Sequence, residues 1–259
     1  MKVVILAGGY GTRISEESHL KPKPMIEIGG NPILWHIMKS YSYHGFNEFV
    51  ICAGYKQHSI KDYFANYYLY RSDITFDFSA ENSMTIHNNV AEPWKVTIVY
   101  TGIDTMTGGR VKQISKFIGD NTFMLTYGDG VCDIDMCDLV RFHKAHGKLA
   151  TITAVKPGGR FGTLEFGEGG TVSRFAEKHK DEGGWINGGF MVLEPDVFNY
   201  IEGDATVFEK APLEKLSDDG QLIAYSHSGF WQCMDTLRDK IYLSELIEEG
   251  KAPWMKWAK

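Results

Sequence analysis

Three short runs hold the side chains best suited to chemistry. Gly8-Gly9-Tyr10-Gly11-Thr12-Arg13 sets glycines ahead of a hydroxyl and a guanidinium. Glycine lets a loop backbone come close to a ligand, and consecutive amides in such a loop form a nest for an anion. Lys21-Pro22-Lys23-Pro24 adds two cations on a backbone stiffened by proline. Asp129, between Gly128 and Gly130, and Asp235, after FWQCM, supply carboxylates. Phosphoryl-type displacement needs these groups: forked donors for phosphate oxygens, and cations for charge on the leaving group. A dinucleotide fingerprint from Gly9 fails at Ile14, and no GKS or GKT tripeptide completes a Walker loop. Plainer readings stay open beside these. The glycines also fit a simple turn, the lysines a solvated patch, Asp129 a turn and Asp235 a helix cap.

These groups need a frame. Residues 2–7 are a continuous apolar run, as in a strand covered on both faces. TFMLTY, at 122–127, is a second such strand, so Asp129 falls at the carboxyl end of a sheet strand, where α/β folds bind ligands. A long loop is expected over 8–30. A helix follows with Asn31 as its cap and Pro32 as its first residue, stopping at Gly45. Strand 48–52 and a helix from about Lys56 complete a βαβα unit. ITFDFSAENSMTIHNN, at 74–89, alternates as a hairpin with its turn at Glu81–Ser83. Strand 95–100 leads through TGIDTMTGGR into a helix ending near Ile118, and Asp135 caps another running to Gly147. Strand 150–155 follows. Beyond about 157 the pattern is strand-rich, with helices from Pro195, over 206–217 and over 236–249.

The chain has 259 residues, 43% hydrophobic and 23% charged, which suits one α/β domain. With 27 basic and 33 acidic side chains the net charge is −6, so no nucleic-acid footprint exists. No apolar segment is long enough for a membrane span. The four cysteines form no CxxC pair and no disulfide framework, which fits a reducing cytoplasm. His143 and His146 lie three apart on a helix and read as a solvated face. The aromatic residues from Tyr63 to Tyr70 read as cover for a core or a subunit contact, and the tail bearing Trp254 and Trp257 as docked on protein.

LAGG-x-GTR followed by KPKPM resembles the signature of the sugar-1-phosphate nucleotidyltransferases. KPKPMIEIGGNPILWHIMK, MTGGR, TYGDG, GRFG, INGGF and FWQCMDTLRDK extend the resemblance over nearly the whole chain. They resemble the branch that joins CTP to α-D-glucose 1-phosphate. The resemblance implies a Rossmann-like α/β fold, a mainly parallel mixed sheet with helices on both faces and a strand-rich sugar-binding part. It divides the single domain into a nucleotide part at about 1–156, a sugar-phosphate part at about 157–235 and a helix and tail at 236–259. It implies cytidylyl transfer to give CDP-glucose and pyrophosphate for bacterial dideoxysugar and O-antigen synthesis. It implies Mg²⁺ as cofactor and a homo-oligomer, a hexamer in this branch. UTP or dTTP as donor, or a non-catalytic sugar-nucleotide sensor, remain alternatives.

By the same resemblance, Leu6, Ala7, Gly8, Gly9 and Gly11 cradle the nucleotide, Thr12 and Arg13 hold its phosphates, and Lys23 meets the α-phosphate. Thr105, Gly108, Arg110 and Gly128 belong to the same nucleotide site. Arg110 is also a fixed donor that cannot accept from a uracil N3–H. Asp129 and Asp235 hold one Mg²⁺ and, with Arg13 and Lys23, form the catalytic set. Tyr127, Gly162, Glu177, Lys178 and Asn187 take the sugar phosphate. His179 stands where the family's Glu-Lys-Pro motif has proline.

Overall fold

The computed structural model describes residues 1–79, 81–156, 162–166, 172–177 and 184–258, with only the backbone described for Arg13, Ser15, Glu16, 162–166 and 172–177. The apolar runs become β1 (Lys2–Ala7), β2 (Glu48–Ala53), β3 (Lys95–Tyr100) and β4 (Phe123–Tyr127). β1 lies parallel between β2 and β4, and β3 extends the parallel set beyond β2. β5 (Ala150–Val155), β6 (Ile186–Asn187), β7 (Met191–Leu193) and β8 (Leu222–His227) complete the sheet. β7 runs antiparallel to both β4 and β5, the short β6 pairs antiparallel with β5, and β8 pairs parallel with β5. The result is one eight-stranded, mainly parallel mixed sheet.

Alternation along β1 divides the core between two faces. Val3, Ile5 and Ala7 pack on one side with α1 (Ile33–Tyr43), while Val4 and Leu6 pack on the other with Val111 of α3 (Thr107–Gln113). Between them in sequence lies α2 (Gln57–Ala65). α4 (Met136–His146), α5 (Ala211–Asp218) and α6 (Leu237–Glu248) complete the longer helices. Helices therefore cover both faces, as a buried parallel sheet requires.

The 8–30 stretch is more ordered than a plain loop. It holds short turns of helix at Thr12–Ile14, Ser15–Ser18 and Lys23–Met25, then a ladder of Glu27–Ile28 with Asn31–Pro32. Asn31 accordingly does not cap α1. Gly29 and Gly30 both have positive φ, as a two-residue hairpin turn requires, and this draws Asn31 into the ladder and starts the helix at Ile33. The helix expected over 206–217 begins only at Ala211, because residues 206–208 bind α3: Gly108 N donates to Thr206 O (2.9 Å) and Phe208 N to Thr107 Oγ1 (2.9 Å).

His143 and His146 are not a solvated pair. His143 is buried and lies 2.8 Å from Thr151 Oγ1 and 3.1 Å from Glu194 Oε1, and His146 lies 2.7 Å from the same hydroxyl. The strand hydroxyl and the glutamate give these rings polar partners, so the helix face can turn inward. Trp254 is buried in the core, stacked on Phe230.

Candidate active site

β1 to β4 run parallel, so the segments that follow them emerge at one edge of the sheet. There they enclose a cavity of about 480 Å³. Its wall includes Leu6, Ala7, Gly8, Gly9, Gly11 and Thr12 after β1, and Lys23 with Pro24 from the stiffened loop. Thr105 and Arg110 come from beyond β3, and Tyr127, Gly128 and Asp129 from the end of β4. Tyr10, Asp104 and Thr107 also line it and were not singled out by the sequence; Tyr10 Oη donates to Asp104 Oδ1 at 2.8 Å.

Asp235 reaches this edge through a short antiparallel ladder that the sequence did not reveal. Gly130–Cys132 pairs with Trp231–Cys233, and Met234 N donates to Asp129 O at 2.8 Å. The ladder sets two carboxylates distant in sequence beside each other. Asp235 is not the helix cap. Thr236 caps α6 in a reciprocal box with Asp239, so the Asp235 carboxylate faces Lys23. Lys23 Nζ donates to Asp129 Oδ2 at 2.5 Å and to Asp235 Oδ1 at 2.6 Å. Burial alone pulls the Lys23 ammonium down, but the charges and hydrogen bonds of the two carboxylates outweigh it and leave its pKa raised. Cys233 lies 3.7 Å from Asp235 Oδ2, and burial first, then the neighbouring carboxylates, push its thiol up to about 12, which favours the protonated form.

Two carboxylates that share one cation at hydrogen-bond distance are a hard-oxygen donor pair. Mg²⁺ takes such a pair and completes its shell with phosphate and water, so these residues fit the ion. Among the described residues, two other groups bring together metal-ligand types: His44 with Asp135 and Cys137, and Cys132 with Asp133 and His227. Both have structural work. Asp135 caps α4, and Asp133 accepts from Phe230 N and pairs with His227.

Arg110 lies beneath the glycine loop. Its Nη1 donates to Thr101 Oγ1 (2.6 Å) and Gly102 O (2.8 Å), and its Nη2 to Gly8 O and Ile103 O (3.1 Å each). It therefore ties the loop after β1 to the loop after β3. A Cβ on Gly8 would lie 2.1 Å from Nη1, so the close approach demands glycine there. Gly108 does not line the cavity. It packs on the 204–206 loop, where a Cβ would meet Thr206 O at 2.8 Å.

At the other side, Tyr127 Oη donates to Glu209 Oε1 at 2.7 Å and accepts from Asn187 Nδ2 at 3.3 Å. Thr107 Oγ1 donates to the other Glu209 oxygen at 2.6 Å. Burial, then the Glu209 charge, hold the Tyr127 phenol protonated. Glu209 had no signal in the sequence, since it sits in an ordinary charged stretch before α5. Trp231 donates from its indole to Gly188 O at 2.8 Å. Gly162 and Glu177 are backbone partners in a two-stranded ladder. The side chains of Arg13 and Glu177, and all of Lys178 and His179, lie outside the described residues.

The nucleotidyl transferase family model matches residues 2–239. The chain is 57% identical over 258 residues to the glucose-1-phosphate cytidylyltransferase of Salmonella typhi, covering 99% of this chain and 100% of that one. It is 30% identical to the mannose-1-phosphate guanyltransferase of Aspergillus oryzae, over 94% of this chain and 63% of that one. The crystal structure of HddC from Yersinia pseudotuberculosis superposes with a TM-score of 0.70 at 24% identity, covering 95% of this chain and 99% of that one.

Proposed function

The chain belongs to the nucleotidyl transferase family, and from that premise we propose that it transfers the cytidylyl group of CTP to α-D-glucose 1-phosphate, releasing pyrophosphate and forming CDP-glucose. One observation carries the reading in the geometry: Lys23, Asp129 and Asp235 converge beside a glycine loop at the carboxyl edge of a parallel sheet. The near full-length similarity to a cytidylyltransferase supports the choice of substrates.

The attacking group is an oxygen of the sugar phosphate. A phosphate monoester with a second pKa of about 6 is largely ionised at neutral pH, so no general base is required. The protein's part is to position the two phosphates in line and to neutralise charge. In this reading the amides of Gly8 to Gly11 cradle the nucleotide, with Thr12 and Arg13 on its phosphates. Lys23 stabilises charge on the α-phosphate as pyrophosphate departs. Asp129 and Asp235 would hold Mg²⁺, which when bound would neutralise negative charge on the nucleotide phosphates. Tyr127 lines the cavity and its hydroxyl is held by Glu209 and Asn187, a polar group suited to sugar hydroxyls, and Gly162, Glu177 and Lys178 are assigned to the sugar phosphate. The four Nη hydrogens of Arg110 go to Thr101, Gly102, Gly8 and Ile103 and are not offered to a base; what Arg110 brings to the nucleotide side is a fixed positive charge, which suits the N3 acceptor of cytosine better than the N3–H of uracil.

We place the protein in the cytoplasm, in a homo-oligomer, with CDP-glucose going to dideoxysugar and O-antigen synthesis. Four free thiols support the first assignment, and no helix among the described residues is long and apolar enough to cross a membrane. Pyrophosphate release tests the chemistry. It should require CTP, glucose 1-phosphate and Mg²⁺ together and fall at least about 10²-fold in Asp129→Asn. Unchanged release in that variant or in excess chelator contradicts the assignment.

A further inference from the structure

The position of Lys23 bears on how the site is loaded. Its Nζ touches a carboxylate oxygen of both Asp129 and Asp235, at 2.5 and 2.6 Å. Those oxygens are therefore no more than about 5 Å apart, a spacing at which two anions require a cation between or beside them. The proposed reaction asks for two things here: a divalent ion on the carboxylates and Lys23 on a phosphate. The ammonium cannot keep both present contacts while a divalent ion takes the same oxygens, because the two cations would share one small space and repel.

We infer that Lys23 is an exchangeable counter-ion, which neutralises Asp129 and Asp235 in the nucleotide-free protein and yields them to the divalent ion when nucleotide phosphates draw the ammonium away. The inference rests on the reading of Asp129 and Asp235 as the metal site. Three features support the exchange. The backbone at Lys23 is fixed, with Met25 N bonded to Pro22 O (2.7 Å) and Ile26 N to Lys23 O (3.1 Å), so the side chain can turn without moving its loop. Lysine carries its charge on a flexible four-carbon stem and moves as a point charge, unlike a forked guanidinium. Lys23 also lines the same cavity as Gly8 to Thr12, so the swing leads toward the amides that would hold phosphates. Nucleotide and ion then assist each other's binding, and the assistance is reciprocal by linkage.

The test is the affinity of the nucleotide-free protein for Mn²⁺, read by the spin signal of the free ion, with no turnover involved. Wild type should bind weakly. Lys23→Met and Lys23→Gln should bind at least about tenfold more tightly, since the charge of Lys23 no longer competes for these oxygens, while Lys23→Arg should remain weak. The two neutral variants guard against one failing to fold. Wild type binding as tightly as both neutral variants overturns the exchange and leaves the metal site standing. Adding Asp129→Asn to Lys23→Met should abolish the binding. If that double variant still takes Mn²⁺ tightly, the metal-site reading fails, and the exchange fails with it.

Discussion

Lys21 and Lys23 differ by two positions and by everything that surrounds them. Lys21 is exposed and pairs with Glu27 Oε1 at 2.6 Å, away from the cavity wall. Lys23 is largely enclosed and meets two carboxylates. Losing a charge-stabilising donor costs roughly 10²–10³ in rate. Steady-state kinetics on Lys23→Ala should therefore show kcat lowered by about that factor and more than KM is raised, with Lys21→Ala within about threefold of wild type. Equal losses at the two positions would remove the assignment. Arg110 carries a double expectation. Its guanidinium braces two loops through four acceptors, so Arg110→Ala should lower the melting temperature. Its fixed charge should also count toward base choice, so the ratio of kcat/KM for CTP over UTP should fall. Equal losses on both nucleotides would leave it a brace alone.

At the scale of elements, α1 and the C-terminal tail are joined through a neutral imidazole. His36 Nε2 donates to Ile28 O at 2.9 Å, and Trp254 Nε1 donates to His36 Nδ1 at 3.4 Å. Both contacts suit one neutral tautomer. Burial lowers the pKa of His36 from 6.5 to about 4, with the bond to Ile28 O only partly opposing it. The unfolded chain therefore binds more protons between these values, and stability rises with pH across them. The contribution, roughly 3 kcal/mol, is fully present above pH 6.5 and lost as the pH falls toward 4. Urea titrations at pH 7.5 and 5 should show that His36→Gln loses stability at the higher pH and has a smaller pH slope than wild type. Identical slopes would contradict the neutral, buried ring.

Elements whose cause is local were legible in the sequence. β1 and β4 are short apolar runs ended by glycine, the 73–87 hairpin alternates, and Asp135 caps α4. What was lost depends on partners far along the chain. Three-residue strands such as Gly130–Cys132 carry no periodicity of their own, so the ladder that joins Asp129 to Asp235 was invisible. Glu209 meets Tyr127 across 82 positions, and His143 is buried only because Glu194 and Thr151 receive it. The glycines of MTGGR were visible, but the loop on which Gly108 packs was not.

Over the whole molecule, the hairpin of Asp73–Asp77 with Ser83–His87 stands apart from the core. Phe76 and Phe78 stack on each other at 6.3 Å while remaining 56% and 80% exposed. A lone two-stranded hairpin is marginal in water, and in the proposed homo-oligomer a second copy of the chain would cover it. Light scattering at micromolar concentration should give a mass several times 29.2 kDa, falling in a Phe76→Ser, Phe78→Ser variant. A wild-type monomer would contradict the assembly. The central claim, cytidylyl transfer to glucose 1-phosphate, is tested most directly by competition. The protein is given CTP, UTP, dTTP and GTP at equal concentration, with α-D-glucose 1-phosphate and Mg²⁺, and the nucleotide sugars are resolved by mass spectrometry. CDP-glucose should dominate the products at early times. A dominant UDP-, dTDP- or GDP-glucose would overturn the choice of nucleotide, and no nucleotide sugar at all would overturn the activity.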